Sequence, residues 1–155
     1  MSFLMQEPCA TENNQTTALR YATEADQAFW LSLDKHIDKN ELLRKIRDRR
    51  CYMICAGGQP MGILRYNLFW DSIPFLTFLF LEESYRRKGW GTKALLFWES
   101  EMRGLNYQMV MTSTQVDEQA QHFYRKLGYI EKGCLFLDHT PLAQPQEMLM
   151  VKTLS

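Results

Sequence analysis

A chain of 155 residues, 46% hydrophobic and 23% charged, has room for one domain with a real core and is neither disordered nor fibrous in composition. Its 18 basic residues balance 18 acidic ones, a formal net charge of zero, so no global field favours nucleic acid or an anionic membrane, and neither is expected as a partner. The longest apolar stretch, Ile73 to Leu81, contains Pro74 and Thr77 and falls far short of the roughly 20 residues that cross a bilayer. With no secretory signal pattern at Met1 to Met5, a cytoplasmic protein is expected. Cys9, Cys51, Cys55 and Cys134 form no Cys-x-x-Cys pair. They are expected to be reduced thiols without a metal or disulfide role.

Residues 1–16 are polar and aperiodic and read as a mobile leader or expression remnant, with the domain spanning 17–155. Ala18 to Tyr21 is a strand candidate. Thr23 and Asp26 have capping-box spacing, placing Ala25, Phe29 and Leu33 on one face of the following helix. Asp38 and Glu41 repeat the signal before a helix over Lys39 to Arg49, with Leu42, Leu43 and Ile46 inward. Cys51 to Ala56 and Met61 to Trp70 read as a hairpin around Gly57-Gly58-Gln59-Pro60. The nearly continuous hydrophobicity of Ile73 to Leu81 predicts a central strand buried on both faces. Leu95, Trp98, Met102 and Leu105 recur at helical spacing over Thr92 to Arg103, and Gln108 to Ser113 reads as a strand. Asp117 to Leu127 is a second such helix, closed by Gly128, and Cys134 to Leu137 and Met148 to Leu154 are late strands.

The chemistry-bearing segment is Arg86-Arg87-Lys88-Gly89-Trp90-Gly91-Thr92, between the most apolar strand and an amphipathic helix. Glycines permit positive φ and close ligand approach, and the unpaired N–H groups of a helix start favour a pyrophosphate. An ordinary strand-to-helix connection has the same composition, so this turn alone is weak evidence. It is too short for a GxxxxGK[ST] phosphate loop and lacks the third glycine of GxGxxG.

Arg86-x-x-Gly89-x-Gly91 is followed by Asp117-x-x-Ala120-x-x-Phe123-Tyr124-x-x-x-Gly128-Tyr129. Together the two segments resemble the signatures of the GNAT superfamily of acyl-CoA N-acyltransferases. The order of elements from Ala18 to Leu154 is also similar to that family. The run Leu64 to Asp71 with Gln121 to Tyr124 looks most like small bacterial members of unassigned substrate. The resemblance implies an α/β domain with a mixed, mostly antiparallel twisted sheet flanked by helices, whose central strand pair splays to receive acetyl-CoA. It further implies an N-acetyltransferase that moves an acetyl group to a primary amine of a small molecule or peptide. The amine attacks directly in a ternary complex with no metal, and a homodimer is one assembly open to such a domain.

Carried over residue by residue, the resemblance implies that Arg86, Arg87, Lys88, Gly89, Trp90, Gly91 and Thr92 form the pyrophosphate turn. It implies that Leu79, Phe80 and Leu81 bond the pantetheine arm through exposed main chain, with the backbone near Leu81 polarising the thioester carbonyl. Tyr124 matches the tyrosine that protonates the departing thiolate. A phenol of ordinary pKa about 10 is able to donate to a thiolate whose conjugate acid lies near 8.5. Asp117 stands where the family commonly has Asn; it still accepts a hydrogen bond or caps the helix but does not donate as an amide does. Asp34, His36, Tyr66, Asn67, Trp70 and Asp71 are acceptor-side candidates. Phe75 to Leu81 carries no acidic residue, so Glu82, Asp71 and His36 share the candidacy for general base. A covalent acetyl-cysteine route is the lesser chemical alternative. The competing class is a non-catalytic acyl-CoA-binding regulatory or interaction module, because fold alone does not fix function.

Overall fold

Strand β2 (Cys51–Ala56) directs Tyr52 and Ile54 to one face and Cys51, Met53 and Cys55 to the other, and all five are fully buried. A strand apolar on both faces must be covered on both, and helices supply the cover. A computed structural model describes residues 17–154 of the chain; the leader expected over 1–16 lies outside them. The other strands are β1 (Thr17–Tyr21), β3 (Gln59–Phe69), β4 (Ile73–Leu81), β5 (Met109–Gln115), β6 (Ile130–Leu135) and β7 (Glu147–Thr153). They form a seven-stranded sheet in the order β1-β2-β3-β4-β5-β7-β6. Every neighbouring pair is antiparallel except β4 and β5. The expected mixed, mostly antiparallel α/β domain is therefore the fold.

Two helices, α1 (Gln27–Leu33) and α2 (Lys39–Arg47), lie over one face of β2 and β3, where Trp30 and Leu42 pack with Met53 and Ile63. On the opposite face, α3 (Trp90–Gly104) and α4 (Ala120–Lys126) bury Leu95, Trp98, Met102 and Tyr124 against Leu64, Val110 and Met150. The caps explain two helix starts. The Asp26 carboxylate accepts from the Thr23 N–H at 2.8 Å, completing the capping box of a short 3-10 turn. The Asp38 carboxylate accepts from the N–H groups of Asn40 and Glu41 at the start of α2.

Several expectations need correction. Ala25 falls in the 3-10 turn and is exposed, so the fully buried residue of the first helix is Trp30. Helix α3 begins two residues early, at Trp90, because Gly89 adopts the left-handed conformation that starts it. Helix α4 begins at Ala120, with Asp117 left in the preceding turn. The sixth strand runs over Ile130–Leu135, displaced toward the N-terminus by its pairing with β7. Cys51 and Cys134 are free thiols as expected, and burial pushes the Cys51 thiol up to about 12. Cys55, however, is disulfide-bonded; its burial in an apolar strand did not decide its redox state. Among the described residues no helix is long and apolar enough to cross a membrane.

Strand β4 departs most from the expected doubly buried strand. Arg65 pairs with Phe78 and Tyr66 with Leu76, which leaves Thr77 as a bulge, exposed, with Phe78 to Leu81 only half-buried beyond it. On its β3 side the strand is held closely. A side chain at Gly62 would put its Cβ 2.5 Å from the Phe80 carbonyl oxygen, so only glycine lets the two strands meet there. Gly62→Ala should cost about 1–3 kcal/mol, the usual range for forced overpacking. Gly104→Ala, with open space around the added methyl, should be neutral or stabilising by up to about 1 kcal/mol. Equilibrium urea unfolding of both variants checks the contrast.

Candidate functional site

The parallel pairing of β4 with β5 consists of two rungs, Phe75 with Met111 and Leu76 with Thr112. Beyond them the strands part. Strand residues direct their N–H and C=O alternately to the two neighbours. Because Glu82 donates its N–H to the Met61 carbonyl at 2.8 Å, Leu81 and Leu79 direct their main-chain groups away from β3, into the gap. Arg86 reaches back and donates from Nε to the Leu81 carbonyl at 2.9 Å, with its guanidinium 4.8 Å from the Phe80 ring centroid. The N–H of Leu81 and both main-chain groups of Leu79 are thereby aimed into the opening.

That opening is a cleft of about 600 Å³ lined by Leu79, Phe80, Leu81, Arg86, Arg87, Gly89, Gly91, Thr92, Ala120, Phe123 and Tyr124. Gly89 closes the turn at φ +82° with no atom within 4 Å of where a Cβ would lie, and Arg87 is also left-handed at +62°. Helix α3 carries no side-chain cap, so its first N–H groups face the turn without an intrahelical acceptor. Arg86, Arg87 and Lys88 are exposed around it. An apolar channel edged by free strand amides and ending at a basic, uncapped helix start suits a long ligand with an anionic end. Trp90 is buried beneath the turn, not in the cleft, and its ring lies 4.6 Å from Lys93 Nζ. Lys88 and Asp117 also stand outside the lining. Asp117 is exposed, and α4 has no side-chain cap; the Gln121 amide instead donates to the carbonyls of Val116 and Glu118 at 2.8 and 3.1 Å.

Tyr124 enters the cleft from α4 with 8% of its surface exposed, its ring edge-on to Phe123 and Tyr129 at 5.2 and 5.4 Å. Burial pushes its phenol above the ordinary value, the Thr112 hydroxyl pulls it back, and Glu118 raises it further. The group therefore stays protonated through neutral pH. Behind it, Tyr129 donates to the fully buried Glu99 at 3.0 Å, and Lys152 donates to the same carboxylate at 2.7 Å.

The acceptor-side candidates divide by position. His36 tilts against Phe78 at 6.1 Å, and Asn67 accepts from the Thr77 hydroxyl at 3.2 Å; both therefore meet β4 at its bulge. Asp34 is 1% exposed and accepts from Arg65 Nε at 2.8 Å, Trp30 Nε1 at 3.1 Å and the His36 N–H at 3.0 Å, so it holds the α1–α2 loop in place. Arg65 in turn lies 5.1 Å from the Phe78 ring centroid. Tyr66 turns to the opposite face, between Tyr52 and Trp98. Trp70 and Asp71 occupy the β3–β4 turn at φ 51° and 59°, and the strand from Ile73 to Leu79 spans roughly 20 Å at ~3.3 Å per residue. Among the described residues no group of three or more His, Cys, Asp or Glu is arranged to hold a metal ion. Sequence reasoning missed Ala120 and Phe123 as cleft walls.

A family model described as the acetyltransferase (GNAT) family matches residues 14–129. No curated protein sequence matches the chain. Among solved structures it is similar to Ard1 from Thermoplasma volcanium, at 16% identity over 88% of this chain and 97% of that one, with a TM-score of 0.75. It is also similar to the ribosomal-protein-S18-alanine N-acetyltransferase from Escherichia coli, at 13% identity over 90% and 95% with a TM-score of 0.74. A third is the spermidine/spermine N-acetyltransferase from Vibrio cholerae, at 16% identity over 91% and 94%, also with a TM-score of 0.74. At these identities the likeness is one of fold.

The Asp34–Arg65 pair gives a direct test of the site's foundation. Asp34→Ala strands a guanidinium that is 8% exposed and should cost about 3–5 kcal/mol, whereas replacing both partners with apolar residues of similar volume should cost far less. Urea unfolding of the single and double variants separates the two outcomes.

Proposed function

Given that the chain belongs to the GNAT family of acetyltransferases, we propose that it transfers an acetyl group from acetyl-CoA to a primary amine within a ternary complex. The observation that carries this reading is the forked edge of β4, which opens onto both the Gly89 turn and the Tyr124 hydroxyl. The residues present fit acetyl-CoA. Unpaired main chain at Leu79 and Leu81 suits the amides of a pantetheine arm, and the helix start with Arg86, Arg87 and Lys88 suits a pyrophosphate. The co-substrate supplies an activated acyl group, which the protein need not generate.

In this reading the Leu81 N–H polarises the thioester carbonyl as the amine attacks. Tyr124 donates its proton to the sulfur as the carbon–sulfur bond breaks. Holding both reactants on one scaffold supplies much of the acceleration. The acceptor approaches from the bulge side, past His36, Asn67 and Phe78. One structural neighbour is named for a protein's alanine and another for a polyamine, so we keep the acceptor as a primary amine of a peptide or a small molecule. Glu82, half-buried at the end of β4, and His36 are the candidates for its base. Cys51 is excluded as a nucleophile by burial in the opposite layer and by its raised pKa.

Calorimetry on Gly89→Asp should show CoA affinity reduced by at least about tenfold, because the new side chain strains a left-handed position and brings negative charge to the anion site. Unchanged affinity would place the cofactor elsewhere. Thiol release from acetyl-CoA, measured over a panel of peptide α-amines, lysine peptides and polyamines, tests the transfer itself. Tyr124→Phe should lower kcat roughly 10² to 10⁴-fold while leaving acetyl-CoA binding nearly intact. Tight CoA binding with no amine turned over would support the non-catalytic module instead.

A further inference from the structure

We propose that a hollow at the foot of the sheet, separate from the cleft, binds a small aromatic carboxylate, its ring among Phe69, Trp70 and two methionines and its anion on Lys132. The hollow encloses about 400 Å³, within the roughly 300–1,000 Å³ of small-molecule sites. Val110 and Met150 point into the core under α3 and α4. Their strand neighbours Met109, Met111 and Val151 therefore point to the other face, where they form the floor of the hollow. On that face α1 and α2 pack over β2 and β3, and every wall residue of the hollow belongs to a strand or to the β3–β4 turn. Ile73, the first residue of β4, lines the hollow, whereas Leu79 to Leu81 at the strand's other end line the cleft.

Charge and ring chemistry name the occupant. Glu131 pairs with Met150 and Gly133 with Leu149, so Lys132 is a bulged residue without a partner on β7, and a bulge re-aims its side chain. Lys132 is the one charged side chain in the lining. Its neighbour Glu131 is held by Arg125 of α4, and among the described residues Lys132 has no acidic partner. An unpaired ammonium beside an apolar hollow complements one negative charge and repels a cationic end. The walls favour a ring over an alkyl chain. The Phe69 and Trp70 rings lie 4.7 Å apart at a tilt of 38°, and Phe69 stacks on Phe75, so a further ring extends an aromatic series. Met109 and Met111 supply an adaptable floor suited to sulfur–aromatic contact. Trp70 is 80% exposed on left-handed backbone, a strained turn that holds an uncovered indole beside the hollow. A carboxylate offers no amine to acetylate, so this ligand is not the acceptor.

The test is a titration of the full chain with 2-naphthoate, followed through ¹³C-labelled methionine methyl signals. The signals of Met109 and Met111, identified by their loss in Met109→Leu and Met111→Leu, should shift saturably and to the same extent with CoA present. Lys132→Met should weaken binding about three- to fivefold and Lys132→Glu about tenfold, the scale of an exposed ion pair lost and then reversed. The neutral 2-naphthamide should bind the wild type more weakly and be indifferent to both substitutions. No shift at Met109 and Met111 would overturn the proposal. Equal affinity for acid and amide, or a Lys132→Glu variant that binds as the wild type does, would overturn it by removing the charge recognition. Octanoate binding as tightly as 2-naphthoate would overturn the aromatic class. Displacement by CoA would overturn it by putting the ligand in the cleft. A dimer in sedimentation that must be dissociated by Trp70→Ser before 2-naphthoate binds would overturn it in favour of a second copy covering the face.

Discussion

Two parallel strands that share a sheet ordinarily continue side by side until one ends, and each main-chain group then finds a partner. In this protein β4 and β5 keep two rungs and then diverge, and everything the site contains follows from that early parting. It leaves strand main chain unpaired at Leu79 and Leu81, at a cost tolerable only where water or a ligand takes the missing partner's place. The gap is held open by structure on both sides. β3 grips β4 through Gly62, β7 grips β5 along its full length, and α4 lays Phe123 and Tyr124 across the opening.

The two faces of the sheet divide the labour. The face under α3 and α4 carries the turn, the helix start and the phenol, and most of its contacts to a ligand would be made by backbone. The face under α1 and α2 carries side chains: His36, Asn67 and Phe78 around the bulge, with Asp34 and Arg65 locked beneath them. Backbone geometry tolerates many sequences, whereas a side-chain surface changes with each substitution. A cofactor shared by many proteins and an acceptor particular to one would call for that partition.

The order of elements was legible because strong local signals coincided with tertiary needs. Asp38 caps a helix in isolation and in context, and the alternating residues of β2 are apolar on both faces because both faces are covered. The glycine turn and Tyr124 were legible through two spaced motifs. Other features were not local. Ile73 to Leu81 looked uniformly buried because hydrophobicity does not record a missing neighbour strand, and Leu79, Phe80 and Leu81 beyond Thr77 line a cleft while being as apolar as a core. Asp117 has the right residue type for a cap, yet the chain spends it in a turn and starts the helix three residues later. Asp34 and Tyr66 read as site residues from polarity and position. Their burial, one against Arg65 and the other against Trp98, depends on partners distant in sequence.

The placing of β7 also bears on how such a chain comes to be folded. It is later in sequence than both of its neighbours, β5 and β6, and lies between them. Until it is synthesised, β5 has no partner on that side and β6 has none at all. The fully buried Glu99 of α3 also waits for Lys152 of the same strand. The β2–β3 and β3–β4 hairpins are early and close in sequence and are able to form while the chain is still being made. The half that completes the fork depends on pairings of long sequence separation, the slow kind. Nascent chains should therefore expose the free edge of β5 for the interval before β7 inserts. That interval, more than the finished fold, is where demand for a chaperone would fall.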